Sequence, residues 1–317
     1  MKKINTVIIL LLSLVCVFCV FALTACKDDN NNGNNKGNQS NTNTADEDTD
    51  ETGLSPTEGL KYTLNTDKKS YSVTGIGLAK ETDIVIPQKY NGYPVTSIGD
   101  KAFYCDFSLT SITLPDGVTS IGDSAFDGCV NLADIEIPDS VTSIGDYTFR
   151  NCLKFTGIEI PGSVKSIGEY AFYNCYSLEK ITFNEGLETL GKEALYGCTS
   201  LTNLVIPDSV TSSVTGLGSC TALVSVIIGD GVTSLGSFQG CANLVGVVIG
   251  KSVSYIAYRP FYECKNLQYL IFKNTEGWYT INIWGDRADV ATSSIAAPEA
   301  AASFIRNPND RTWYREH

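Results

Sequence analysis

The chain has 317 residues, and its 35 acidic and 23 basic side chains give a formal net charge of −12. This acidic balance argues against binding to nucleic acid and against electrostatic docking on anionic lipid. The single histidine is the last residue, His317, so the folded part of the chain cannot build a Ser–His or Cys–His nucleophile pair or a histidine-based metal site.

Residues 1–25 have the features of a lipoprotein signal peptide. Two lysines after Met1 precede a long apolar stretch that ends in Leu23-Thr24-Ala25-Cys26. This ending resembles the bacterial lipobox, and the resemblance implies cleavage before Cys26 and attachment of a diacylglyceryl group to its thiol. An uncleaved anchoring helix is the alternative, although the apolar stretch is marginal for spanning a bilayer. Both alternatives predict a protein anchored in a membrane at the bacterial cell surface and facing outward.

Residues 26–59 form an Asn- and Asp-rich segment with almost no apolar side chains. A segment of this composition buries too little surface to offset the conformational entropy lost on folding. We therefore predict a disordered tether that holds the rest of the chain away from the lipid head groups.

Residues 60–93 predict an N-terminal β cap. Three short extended runs, Leu60–Thr66, Ser70–Gly75 and Thr82–Pro87, precede the first regular unit of the chain. Repeat arrays need caps of this kind, because the last sheet edge would otherwise stay open to other chains.

Residues 94–274 repeat about every 23 residues, in eight units. Three units read GVTSIGDSAFDGCVNLADIEIPD, SVTSIGDYTFRNCLKFTGIEIPG and SVKSIGEYAFYNCYSLEKITFNE, beginning at residues 117, 140 and 163. A fixed period in this range is typical of a solenoid, in which each unit buries its apolar face only against its neighbours. Such a scaffold favours binding over catalysis, and we expect no enzyme activity and no cofactor.

The second and third units show which elements the repeat contains. Leu132, Ile135 and Ile137 alternate with polar residues, which predicts a half-buried strand. Val141–Ile144 predicts a second short strand. Gly145-Asp146 then predicts a tight corner and the N-cap of a short helical turn.

The consensus V-T-S-I-G-D-x-A-F-x-x-C-x-x-L-x-x-I-x-I-P resembles the BspA-type leucine-rich repeat of bacterial surface lipoproteins. The resemblance implies a solenoid that is mostly β with short helical turns, and a role in adhesion to a host or to other cells. A right-handed parallel β-helix is the structural alternative. Units six (209–230) and seven (231–251) are one and two residues shorter and lack the G-D-x-A-F corner.

One position of the repeat carries a cysteine in seven units. A straight column of thiols does not converge as a metal site requires, and an odd number cannot pair completely. We therefore predict small buried hydrophobic residues and no metal site. The column contains Cys129, Cys152, Cys175, Cys198, Cys220, Cys241 and Cys264.

The outward strand positions predict the binding surface. One outward column changes from polar and acidic to apolar along the array, and a contiguous apolar stripe usually marks an interaction site. Coverage of the stripe by the C-terminal segment is the alternative. The candidate partner-binding residues are Val205, Ile227, Val248 and Ile271 in this column, and Lys180, Asn203 and Tyr269 in the neighbouring one.

Asp134, Glu136 and Glu159 are the only carboxylate cluster that the repeat phase predicts on this surface. Paired carboxylates serve as acid and base in glycosidases, and carboxylate oxygens bind Ca²⁺. On an open and hydrated sheet we expect solvated acids, with a weak cation or cationic ligand as the alternative and catalysis as the least favoured one.

Residues 275–317 predict a C-terminal cap, which we expect Trp278, Trp284 and Phe304 to build over the last unit. The function that these features favour is non-catalytic binding of a protein, an extracellular-matrix component or a cell-surface ligand. The alternative is a glycan-binding component of a nutrient-capture system, with Trp278, Trp284 or Tyr269 as stacking platforms.

Overall fold

The computed structural model describes residues 54–282, 287–289 and 311–315, all within one compact unit, Glu47–His317. The chain winds into a β-solenoid of about nine turns, or rungs, with about 23 residues in each. The predicted repeat solenoid is therefore confirmed. The predicted helical turns are wrong, because none of the described residues lies in a helix.

The I-x-I segments form the main ladder of parallel strands. Their side chains alternate between the buried interior and the outer face, as the period of two predicts. The strands are β3 (Asp83–Val85), β6 (Ser111–Thr113), β8 (Asp134–Ile135), β10 (Gly157–Ile160), β12 (Lys180–Phe183), β14 (Asn203–Ile206), β15 (Ser225–Ile228), β17 (Gly246–Ile249) and β19 (Tyr269–Phe272).

Hydrogen bonding divides the main ladder into three sheets, in the orders β3-β6-β8, β10-β12 and β14-β15-β17-β19. The first break coincides with a charge conflict. Strand β8 ends at Ile135, just before the exposed Glu136, and the exposed Glu159 occupies the same repeat position within β10 of the next rung. Like charges on adjacent strands destabilise their pairing.

The V-T-S-I segments form the second ladder. Its strands are β1 (Lys61–Leu64), β2 (Tyr71–Gly75), β5 (Tyr93–Ile98), β7 (Ser120–Ile121), β9 (Ser143–Ile144), β11 (Ser166–Ile167), β13 (Thr189–Leu190), β16 (Ser234–Leu235) and β18 (Tyr255–Ile256). Of these, strands β1 to β13 follow one another in one sheet, unit six contributes only the isolated bridge between Val214 and Leu235, and β16 and β18 belong to a second sheet.

The corner between the two ladders has a backbone that a helix cannot contain. In unit three, Tyr147 and Asn151 have positive φ angles of 57° and 59°, and a left-handed residue interrupts a right-handed helix. The predicted N-cap is also wrong, since Asp146 Oδ1 accepts the N–H of Glu169 in the next rung at 2.7 Å. The corner N–H groups bond to the next rung as well: Tyr147 to Glu169 O, Phe149 to Ala171 O and Asn151 to Tyr173 O.

The core is a stack of phenylalanine rings beside the cysteine column. Phe149 lies between Phe126 and Phe172, with ring centroids 5.4 and 5.3 Å away, and Phe155 lies 5.5 Å from it. All four side chains are fully buried. Units one to four and units seven and eight thus stack a phenylalanine on the same residue of the neighbouring rung, and Leu195 and Leu217 take this position in units five and six.

Short strands also lie at the two ends of the array. At the N-terminal end β1 pairs antiparallel with β2, and β4 (Lys89–Tyr90) forms a hairpin with β5. At the C-terminal end β20 (Trp278–Asn282), β21 (Arg287–Asp289) and β22 (Arg311–Arg315) extend the second ladder beside β18. The limits of both caps stay predictions, and Cys26, Trp284 and Phe304 lie outside the described residues.

Candidate functional site

The aliphatic row consists of Val205, Ile227, Val248 and Ile271. Strand pairing aligns these four residues in register across β14, β15, β17 and β19. Val205 is 43% exposed and the other three are half-buried. The row therefore lies on the outer face of the main ladder.

A polar row runs beside the aliphatic row on the same strands. Asn203, Ser225, Gly246 and Tyr269 are paired in register, and Ser225 Oγ donates to Asn203 Oδ1 at 2.6 Å. Lys180 is exposed at the corresponding position of β12, which belongs to the preceding sheet. The surface thus combines an apolar centre with a hydrogen-bonding margin.

An ion-pair cluster holds together the ends of the strands that carry the aliphatic row. Asp230, just after β15, bonds to Lys251 Nζ at 2.8 Å and to Lys273 Nζ at 2.7 Å, each from a later rung. Hydrogen bonds from these two lysines lower the pKa of Asp230 to about 2. The carboxylate therefore stays charged, and the cluster stays intact, until the pH falls below the ordinary range of aspartate.

The three predicted acidic residues lie at the surface of the main ladder. Asp134, Glu136 and Glu159 are exposed, and Glu159 Oε1 accepts a hydrogen bond from Asn184 Nδ2 at 2.9 Å. Nowhere in the described part of the chain do three or more His, Cys, Asp or Glu side chains come together as metal ligands. A weak cation site at these acids stays a prediction.

The aromatic residues of the C-terminal end differ in exposure. Trp278 is only 2% exposed, packs edge-on against Phe272 and donates its indole N–H to Asn274 O. It therefore covers the core and cannot serve as the exposed sugar platform that the glycan alternative requires. Tyr269 is half-buried in the polar row.

The cysteine column is part of the core. Its seven thiols are at most 2% exposed, and each donates a hydrogen bond to a carbonyl oxygen of the preceding rung, as Cys152 does to Phe126 O. Burial raises the pKa of Cys129, Cys175 and Cys264 to about 12. Cys105, outside the column, is exposed. All eight are free, and burial makes the seven column thiols poor nucleophiles.

This arrangement predicts a simple pattern of alkylation. When the folded protein is treated with iodoacetamide at about pH 8, peptide mass spectrometry should find Cys105 labelled and the seven column cysteines unlabelled. Because the thiolate is the nucleophile, raising the pH to about 10 should still leave Cys129 unlabelled. Denaturant should expose all seven. Rapid labelling of Cys129 or Cys152 in the folded protein would contradict their burial. The Cys105→Ser variant is the control, since any label that it takes up in the folded state must be on another cysteine.

Within the described ranges, no helix has the length and apolar character needed to cross a bilayer.

Comparison with known proteins identifies the repeat. The model of the BspA-type leucine-rich repeat region matches residues 96–217 and 217–282 in six copies. The structure of a leucine-rich repeat protein from T. pallidum is similar, with 30% identity over 67% of this chain and 90% of that one and a TM-score of 0.50. No curated protein sequence matches significantly.

Two further solved structures are similar to parts of the chain. A leucine-rich repeat protein from Bacteroides ovatus is 26% identical over 69% of this chain and 70% of its own, with a TM-score of 0.42. A leucine-rich cell surface protein from Faecalibacterium prausnitzii is 20% identical over 69% of this chain and 94% of its own, with a TM-score of 0.37. The family model alone spans more than half of the sequence and favours a leucine-rich repeat over a parallel β-helix. The chain therefore belongs to the BspA-type leucine-rich repeat family.

Proposed function

We propose that this chain is a non-catalytic, lipid-anchored protein of the bacterial cell surface that binds a protein partner through the aliphatic row. The observation that carries the proposal is the in-register alignment of four aliphatic side chains on the outer face of β14, β15, β17 and β19. Exposing aliphatic side chains to water is unfavourable in free energy, and a bound partner would remove them from water.

The size and surroundings of the row fit a protein partner. At the usual strand spacing, four rungs make a stripe about 14 Å long. Asn203, Ser225 and Tyr269 border it, which resembles the apolar centre and polar rim of a protein interface. The ion pairs of Asp230 fix the ends of three of these rungs, so little conformational entropy is lost on binding.

The anchor and the tether complete the proposal. A diacylglyceryl group on Cys26 would hold the chain at the membrane, and residues 27–59 would let the solenoid reach past the lipid head groups. Residues 26–59 supply no partner-binding surface of their own in this scheme. The partner is expected in the extracellular matrix or on another cell.

The experiment that tests this function compares lysine substitutions at one repeat position in two rungs. Val205→Lys adds a charge to the aliphatic row, whereas Thr182→Lys adds it at the matching half-buried position of β12. Both proteins should melt within a few degrees of the parent, since both side chains can reach water. Val205→Lys should weaken binding to immobilised extracellular-matrix proteins at least about tenfold, or about 1.4 kcal/mol, and Thr182→Lys should not.

Two outcomes would count against the proposed function. Unfolding of Val205→Lys but not of Thr182→Lys would show that the row is covered by the chain itself. A folded parent protein that binds no member of a panel of matrix and cell-surface proteins would remove the protein-binding role.

A further inference from the structure

Five tyrosines lie at the corners of units three to five, and none of them belongs to the aliphatic row. Three ring contacts connect four of them: two contacts between neighbouring rungs, with centroid distances of 5.0 and 5.2 Å, and one within unit four, at 5.6 Å. The fifth ring is 45% exposed and the other four are half-buried. This tyrosine patch consists of Tyr147, Tyr170, Tyr173, Tyr196 and, at its margin near Tyr173, Tyr176.

Charges of both signs lie around the tyrosine patch. Arg150 lies over the ring of Tyr147, 4.7 Å from its centroid, and forms two hydrogen bonds with the carboxylate of Asp127, at 3.0 and 2.6 Å. Lys192 lies 5.9 Å from the ring centroid of Tyr170, and Glu193 follows it in the chain. An ionic ligand would therefore gain little here, and a neutral ligand has no charge to desolvate.

The patch offers polar groups that can both donate and accept hydrogen bonds. In the described part of the chain, the hydroxyl groups of Tyr147 and Tyr173 have no hydrogen-bond partner, although Tyr196 Oη is bonded to Ser219 Oγ at 3.0 Å. Two amides follow the corner tyrosines in units three and four, and Asn174 Nδ2 donates to Asn151 Oδ1 at 3.4 Å. Burial and the neighbouring Tyr196 raise the pKa of Tyr173, so its hydroxyl keeps its proton.

We propose that the tyrosine patch binds a neutral, linear glycan that lies along the solenoid axis across units three to five. A sugar presents C–H groups on its ring faces and hydroxyl groups at its edges. The C–H groups suit the exposed ring of Tyr176, since an aromatic face is electron-rich. The sugar hydroxyl groups suit the phenol and amide groups, which also donate and accept. This site is separate from the aliphatic row and does not depend on it.

The test is calorimetric titration of the whole protein with cellohexaose, xylohexaose and laminarihexaose. At least one hexasaccharide should bind. Tyr173→Ala should weaken that binding at least about tenfold, and Tyr173→Phe, which loses only the hydroxyl group, should weaken it a few-fold. Tyr93→Ala removes a tyrosine that is 44% exposed at the N-terminal end and should leave the affinity unchanged.

Circular dichroism melts decide whether each variant is folded, and Tyr176→Ala replaces Tyr173→Ala if the latter melts early. The proposal is overturned if no hexasaccharide binds, if the patch variants bind as the parent does, or if Tyr93→Ala loses affinity equally. Loss of protein binding in the patch variants without any sugar binding would assign the patch to a protein partner instead. Val205→Lys should keep full sugar affinity, which separates this result from the test of the aliphatic row.

Discussion

Replacing Phe149 with alanine is expected to lower the free energy of unfolding by about 3–5 kcal/mol. The ring is fully buried and contacts Phe126, Phe155 and Phe172, so its removal leaves a cavity that touches three rungs. In a solenoid each rung is stabilised only by its neighbours, and the rungs on both sides lose contacts at once.

Urea unfolding followed by circular dichroism measures this effect. Phe107→Ala is the matched control, because that side chain is 61% exposed and its loss should cost less than about 1 kcal/mol. Equal costs for the two variants would show that the phenylalanine stack is not the centre of the core. A broadened transition for Phe149→Ala would indicate that the array has separated into two independently unfolding parts.

Gly145→Ala is expected to destabilise the protein by more than about 3 kcal/mol, or to prevent folding. A Cβ atom at this position would lie 2.7 Å from the backbone N of Asp123 and 2.8 Å from the backbone C of Gly122. Backbone atoms cannot rotate away as a side chain can, so the two rungs would have to separate and lose their hydrogen bonds.

Thermal melts of Gly145→Ala and Gly157→Ala test this steric argument. In Gly157→Ala the new Cβ lies 3.5 Å from Lys180 O, an ordinary contact, and an alanine in strand β10 is no worse than glycine. The melting temperature of Gly157→Ala should therefore stay within a few degrees of the parent. If Gly145→Ala melts at the same temperature as Gly157→Ala, the rungs are not as tightly spaced as the structure shows.

The strands could be predicted from the sequence because their signal is local. Leu204 and Ile206 are buried and Val205 is exposed, as alternation alone requires. The register followed from the repeat period, since equivalent residues of successive units align. The cysteine column followed in the same way, and its burial agrees with the prediction.

The corner could not be predicted in the same way. The sequence around Asp146 resembles a helix N-cap, but packing against the next rung outweighs that local preference. Every corner except that of unit seven has two positive φ angles, and these are a tertiary effect that residue types such as Tyr147 do not reveal. The glycines at this corner are required for close backbone approach rather than for a special φ angle.

The tyrosine patch was not predicted from the sequence, although tyrosines recur at equivalent positions of neighbouring units. Tyr147 and Tyr170 occupy one repeat position, and Tyr173 and Tyr196 occupy another. A search of the strand columns alone does not find them, because the contact between Tyr170 and Tyr173 depends on how the corner folds. Reading every column of the repeat, and not only the strands, would have detected both pairs.

The corner hydrogen bonds give the solenoid a direction. In unit one Phe103 N–H donates to Ala125 O of the following rung, and in unit seven Phe238 N–H donates to Pro260 O in the same sense. The stacked corners therefore present backbone carbonyl oxygens at the N-terminal end of the solenoid and backbone N–H groups at its C-terminal end. An additional rung inside the array could form the same hydrogen bonds with both of its neighbours, so such scaffolds can change length by whole units. Their two terminal pieces cannot be exchanged, because each has to match a different set of backbone groups.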